Sequence, residues 1–152
     1  MITATRVLRH ARGYLGTQEN PPHTNRTLIG AKFGWNGVPW CAETVCVILR
    51  ESGFAIPKNA SAPGLRDELI RLKWKNITPR RAKSGDVIFF SWPGTSSTID
   101  HTGLVEGRTK DGRVVTIEGN TSLPNGNDGV ARKVRSLSCV AAVVRPPYQE
   151  RS

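Results

Sequence analysis

From Ala4 the apolar residues Val7, Leu8, Ala11 and Leu15 recur at helical spacing with arginines between them, which predicts an amphipathic helix with a basic outer face. Gly16 closes it. Residues 19–24, with Pro21 and Pro22, read as a loop, after which Asn25 caps a short helix running to about Phe33. Residues 34–39 are turn-like. Residues 40–52 are apolar on three sides and stop at Gly53, the pattern of a buried central helix with a glycine end. Pro39 cannot extend that helix backwards and so fixes its start. A fourth helix is predicted for residues 63–74, with Leu65, Leu69 and Leu72 on one face.

The period then changes. Residues 86–91, 102–106, 114–118 and 139–144 are short runs rich in Val, Ile and Phe, separated by Gly, Pro, Asn and Ser clusters, and they read as antiparallel strands. Helices first and strands second predict an α+β fold in which N-terminal helices pack on a C-terminal antiparallel β-sheet. A length of 152 residues fits one domain over residues 1–152, with a polar tail at 149–152.

Composition narrows the partners. Hydrophobic residues make up 38% of the chain, enough for a core and unlike a disordered chain. Lys and Arg number 22 against 12 Asp and Glu, a formal net charge of +10 that draws the protein toward polyanions such as nucleic acid, anionic lipid or a wall polymer. Aromatic residues are only 7%, and Trp35, Trp40, Trp74 and Trp92 are not interleaved with the basic runs as a base-stacking platform requires, so no nucleic-acid partner is expected. No run approaches the roughly 20 apolar residues that cross a bilayer. Arg6, Arg9 and Arg12 interrupt the apolar stretch that a secretory leader needs, so synthesis in a cytoplasm without a signal peptide, and a monomer off the membrane, are expected.

Three cysteines, at 41, 46 and 139, fit neither a disulfide framework nor zinc knuckles, and His10, His23 and His101 form no ligand pair. Cys41 stands in the first turn of the central helix, where free N–H groups and the macrodipole stabilise a thiolate. Cys46 lies about 140° further round that helix and is expected in the core. A thiol needs a base, and His101 opens a strand; the base in turn needs an orienting acceptor, for which Glu118 and Asn120 are candidates because alternate strand residues share a face. Taken singly, each residue has a plainer reading: a packed cysteine, a surface histidine, a polar strand end.

Together they carry more. The segments Pro39-Trp40-Cys41-Ala42-Glu43-Thr44-Val45, Ser84-Gly85-Asp86-Val87-Ile88-Phe89-Phe90, Asp100-His101-Thr102-Gly103-Leu104-Val105 and Ile117-Glu118-Gly119-Asn120 resemble, in order, the CHAP family (cysteine, histidine-dependent amidohydrolase/peptidase). The resemblance covers about residues 15–145 and implies a papain-like α+β fold. It implies Cys41 as nucleophile, His101 as general base and acid, Glu118 as orienting carboxylate, Asn120 as a fourth polar member and the Cys41 N–H as an oxyanion donor, with the second donor unassigned. Some relatives carry an Asp-rich calcium loop upstream of the cysteine; residues 20–27 here hold no carboxylate, so neither calcium nor any cofactor is expected. Thr102 stands where relatives commonly have Val.

The implied activity is peptidoglycan hydrolysis by a cysteine endopeptidase or N-acetylmuramoyl-L-alanine amidase, in the manner of a phage endolysin that lyses its host, with anionic wall polymers as a further partner. A bacterial wall-remodelling hydrolase or a delivered toxin would use the same residues. A silent basic wall-binding module is the non-enzymatic alternative.

Overall fold

A computed structural model describes residues 1–95 and 98–149; the predicted polar tail beyond Gln149 lies outside the described residues. Four helices come first: α1 (Ala4–Gly13), α2 (Leu28–Phe33), α3 (Cys41–Glu51) and α4 (Ala62–Arg71). Six strands follow: β1 (Lys75–Ile77), β2 (Val87–Phe90), β3 (His101–Arg108), β4 (Val114–Ser122), β5 (Asp128–Arg135) and β6 (Val140–Arg145). They form one antiparallel sheet in the order β1-β6-β2-β3-β4-β5. The predicted α+β layout is the observed one.

Thr3, Thr27 and Ser61 cap α1, α2 and α4, each side chain accepting a first-turn backbone N–H. The cap of α2 is therefore Thr27 and not the expected Asn25. Asn25 has a left-handed backbone (φ 57°) and gives its N–H to Glu19 Oε1. In α3 the cap position is Trp40, which offers no side-chain acceptor, so the first-turn donors of this helix have no side-chain cap.

Every residue of α3 from Cys41 to Leu49 is buried. Its apolar side chains pack with α1, α2 and α4 against one sheet face, that of Val87, Phe89, Leu104, Ile117 and Val144. The opposite face carries a second, smaller core of Ile77, Ile88, Phe90, Val105, Val114 and Val143, which Trp92, Leu137 and Val140 flank. At Gly119, opposite α3, an added Cβ would lie 1.9 Å from Thr44 Oγ1, so only glycine lets β4 come this close to the helix start.

Sequence periodicity passes over two strands, β1 and β5, which form the two edges of the sheet. Edge strands carry charge, which keeps them from pairing with other chains. The basic residues Arg132, Lys133 and Arg135 hide the alternation of β5. Leu72, placed with Leu65 and Leu69 by spacing, falls just past the end of α4 and is 40% exposed.

The block Ser84-Gly85-Asp86 has a structural task. Asp86, fully buried, accepts two hydrogen bonds from Arg145 (2.7 and 2.9 Å) and one from the Lys83 N–H, tying β6 to the start of β2.

Candidate active site

Cys41 is the first residue of α3 and keeps 8% of its surface open. Its helix start is anchored by Glu19, a buried carboxylate in the loop before α2. Glu19 Oε2 accepts the Trp40 indole N–H (2.9 Å) while its Oε1 holds the loop at Asn25.

His101 opens β3; its imidazole pairs with Glu118 and lies near enough to Cys41 for that thiol to raise its pKa. Its Nε2 lies 2.8 Å from Glu118 Oε1, which leaves Nδ1 for the thiol. Burial disfavours the imidazolium, but the hydrogen bonds and charges of Cys41 and Glu118 outweigh it and raise the His101 pKa to about 9. An imidazole that holds its proton at neutral pH is the acid a leaving amine needs.

Glu118 is fully buried on β4. Burial pushes its carboxyl up, yet hydrogen bonds from Arg135, His101 and Thr116 bring its pKa down to about 2. Space for it comes from Gly103, where an added Cβ would sit 2.7 Å from Glu118 Cγ. Two glycines of the sequence blocks, Gly103 and Gly119, thus owe their identity to close approach at this site.

The structure brings Cys41, His101 and Glu118 to one place, where α3 meets β3 and β4. Asn120 differs. A bulge in β4 shifts the register between Glu118 and Thr121, and Asn120 takes a left-handed backbone (φ 54°), so simple alternation no longer puts the two side chains on one face. Among the described residues, no hydrogen bond joins the Asn120 side chain to the other three.

Cys46 is in the core as expected, its thiol directed at the Asn59 carbonyl and its pKa pushed up to about 11 by burial. Cys139 is half-buried, and burial also raises its pKa. Among the described residues, no three His, Cys, Asp or Glu side chains gather as a metal site.

Sequence reading missed Arg135. From β5 its guanidinium reaches both oxygens of Glu118, 2.6 Å from Oε1 and 3.0 Å from Oε2. Its only sequence signal was membership of a basic run. Trp92 was also passed over; its ring stacks on Phe90 and stands 5.6 Å from His101. Asp100 accepts the Trp92 N–H (2.7 Å) and the Thr95 hydroxyl (2.8 Å), fixing this loop beside the imidazole.

Glu43, two residues after the thiol, is fully buried with neither carboxylate oxygen hydrogen-bonded. Burial raises its pKa from 4.5 to about 7. An acid so raised costs the fold stability as pH climbs from about 4.5 to 7, by roughly 2 kcal/mol after allowance for screening near the helix end. Denaturant midpoints of Glu43→Gln should therefore fall less than the parent's over that interval; equal slopes would contradict the burial cost.

The profile of the CHAP domain matches residues 33–120, more than half of the chain. The solved structure of the endolysin LysIME-EF1 superposes with a TM-score of 0.70 at 21% identity, over 98% of this chain and 66% of that one. The Ly7917 structure gives 0.60 at 15% identity, over 95% and 63%. This chain thus spans just under two thirds of the length of either. No curated protein matches. With a cysteine at the uncapped head of a buried helix, a histidine opening the facing strand and the family profile running through both, the chain belongs to the CHAP family.

Proposed function

We propose that this protein is a peptidoglycan hydrolase, a cysteine endopeptidase or N-acetylmuramoyl-L-alanine amidase, whose nucleophile is Cys41. The observation that carries the reading is the buried His101–Glu118 pair set beside Cys41 at the one described α-helix start that lacks a side-chain cap. The Cys41 thiolate attacks an amide carbonyl, and the negative charge gathers on the carbonyl oxygen against the free Cys41 N–H. The C–N bond breaks as His101 gives its proton to the departing amine, leaving a thioester on Sγ. Water then attacks that thioester, giving its proton to His101, and the carboxylic acid and thiol are restored. Glu118 holds the imidazole in the required orientation, and Asn120 serves as a polar group at the margin of the site.

In this proposal the domain acts as a monomeric endolysin made in the host cytoplasm and released to the wall. The described residues contain no helix long and apolar enough to cross a membrane. The net charge of +10 draws the domain to anionic wall polymers. Lytic rate should then fall several-fold between about 20 mM salt and physiological ionic strength, as the Debye length shortens toward roughly 8 Å. A rate independent of salt would remove the charge from the mechanism.

The test of the function is direct: purified Gram-positive wall is incubated with the protein and the released fragments are identified by mass. New amino termini within the stem or cross-bridge peptides indicate an endopeptidase, and free stem peptides with intact glycan an amidase. Release of neither refutes the proposal.

A further inference from the structure

We infer that Arg135 is a positioning residue of this site: its guanidinium locks the Glu118 carboxylate in place and competes with His101 for the same oxygen. The inference rests on the reading of Cys41 and His101 as nucleophile and base. Glu118 Oε1 faces two donors, Nε2 of His101 at 2.8 Å and Nη2 of Arg135 at 2.6 Å. Its Oε2 accepts from the Thr116 hydroxyl at 2.6 Å and from Arg135 Nε at 3.0 Å. The carboxylate is thereby held through both oxygens in the forked geometry that only arginine supplies.

Arg135 is itself fixed. Its guanidinium carbon lies 4.8 Å from the centre of the Trp92 ring and 5.7 Å from that of Phe90, the same two rings that stand 5.6 and 6.0 Å from His101. One aromatic pair therefore seats both the cation and the imidazole. A fixed positive charge beside the carboxylate has two consequences. It keeps Glu118 ionised in a buried place, and it weakens the pull of Glu118 on the imidazolium proton, which must leave His101 in every turnover.

Removing the charge should thus move both limbs of the pH profile. Without Arg135 the thiolate loses a distant cation, and the imidazolium loses a repelling one. The acid and basic limbs both shift to higher pH, by roughly one unit at the effective dielectric of a partly exposed site. A brace that only supports the fold would lower the melting temperature and the rate without moving either limb.

The experiment measures the rate of Cys41 alkylation by iodoacetamide from pH 4 to 10 in the parent, Arg135→Met and Arg135→Lys, with the modified cysteine identified by peptide mass. Wall hydrolysis is followed in parallel. For Arg135→Met we expect the onset of alkylation and the basic limb of hydrolysis each about one unit higher, and hydrolysis reduced ten- to a hundredfold. Arg135→Lys, which keeps the charge but not the fork, should hold the limbs near the parent's and recover part of the rate. Limbs unmoved in Arg135→Met overturn the inference whatever happens to the rate. So does an equal displacement in Arg135→Lys, which would trace the effect to packing. Because alkylation needs no wall substrate, a shifted profile without any wall hydrolysis would retain Arg135 in its role and count against the proposed function alone.

Discussion

The Cys41→Ala protein is expected to lose wall hydrolysis by about ten-thousandfold or more, with its far-ultraviolet spectrum unchanged, because a covalent route has no second group able to take over the attack. The other thiols are no substitutes. Cys46 is fully buried with its pKa pushed up to about 11, and Cys139 sits after β5 with its thiol on the Ser136 carbonyl. The change removes one sulfur from a side chain that is nearly but not wholly buried, so the stability loss should be about 1 kcal/mol, within reach of a thermal scan. Turbidity loss of permeabilised Gram-positive cells gives the rate. Lysis at even a tenth of the parental rate would mean that Cys41 is not the nucleophile.

Glu118→Ala should have the second largest effect, on two properties at once. It releases the imidazole, which lowers hydrolysis by about a hundred- to a thousandfold, and it strands Arg135, whose side chain is only 23% exposed. An ion pair broken on one side inside a fold costs about 3 kcal/mol or more. The pH dependence follows from the same contacts. The Glu118 carboxyl has a folded pKa of about 2 against an ordinary 4.5, so its contribution is complete above about pH 4.5 and is lost as pH falls toward 2. Denaturant melts should show the parent losing on the order of 3 kcal/mol over that interval from this residue, and Glu118→Gln lacking that share. A variant that unfolds with the parental acid profile would show that Glu118 carries no such linkage. Native rates in Glu118→Ala would instead pass the orienting role to Asn120.

Much of the helical half was legible because a helix announces itself over many residues. Val7, Leu8 and Ala11 repeat on one face of α1, and Pro39 with Gly53 brackets α3, so the position of Cys41 at a helix head followed from local chemistry. His101 and Glu118 were legible through the ordered blocks, as neither has a local pattern of its own. Asn120 is less legible, because alternation presumes regular pleating and the bulge after Glu118 suspends it. The two short or charged edge strands escaped notice for a related reason. Where a strand faces water or a polar site, the apolar repeat that periodicity detects is absent.

The sequence by itself determined that helices precede strands, the helix head that bears the thiol, and the family whose blocks it carries, since all of these reside in contiguous residues and their spacing. Only the tertiary structure decided who surrounds the base. Arg135 lies 17 residues from Glu118, on an edge strand, and Trp92 lies before β3 in a loop. Glu19 braces Trp40 from 21 residues away. Such contacts form when strand pairing and chain crossings bring distant side chains to one point, and a one-dimensional pattern holds no trace of that convergence. The catalytic proposal could therefore be read along the chain, while the groups that tune its protons had to be seen in space.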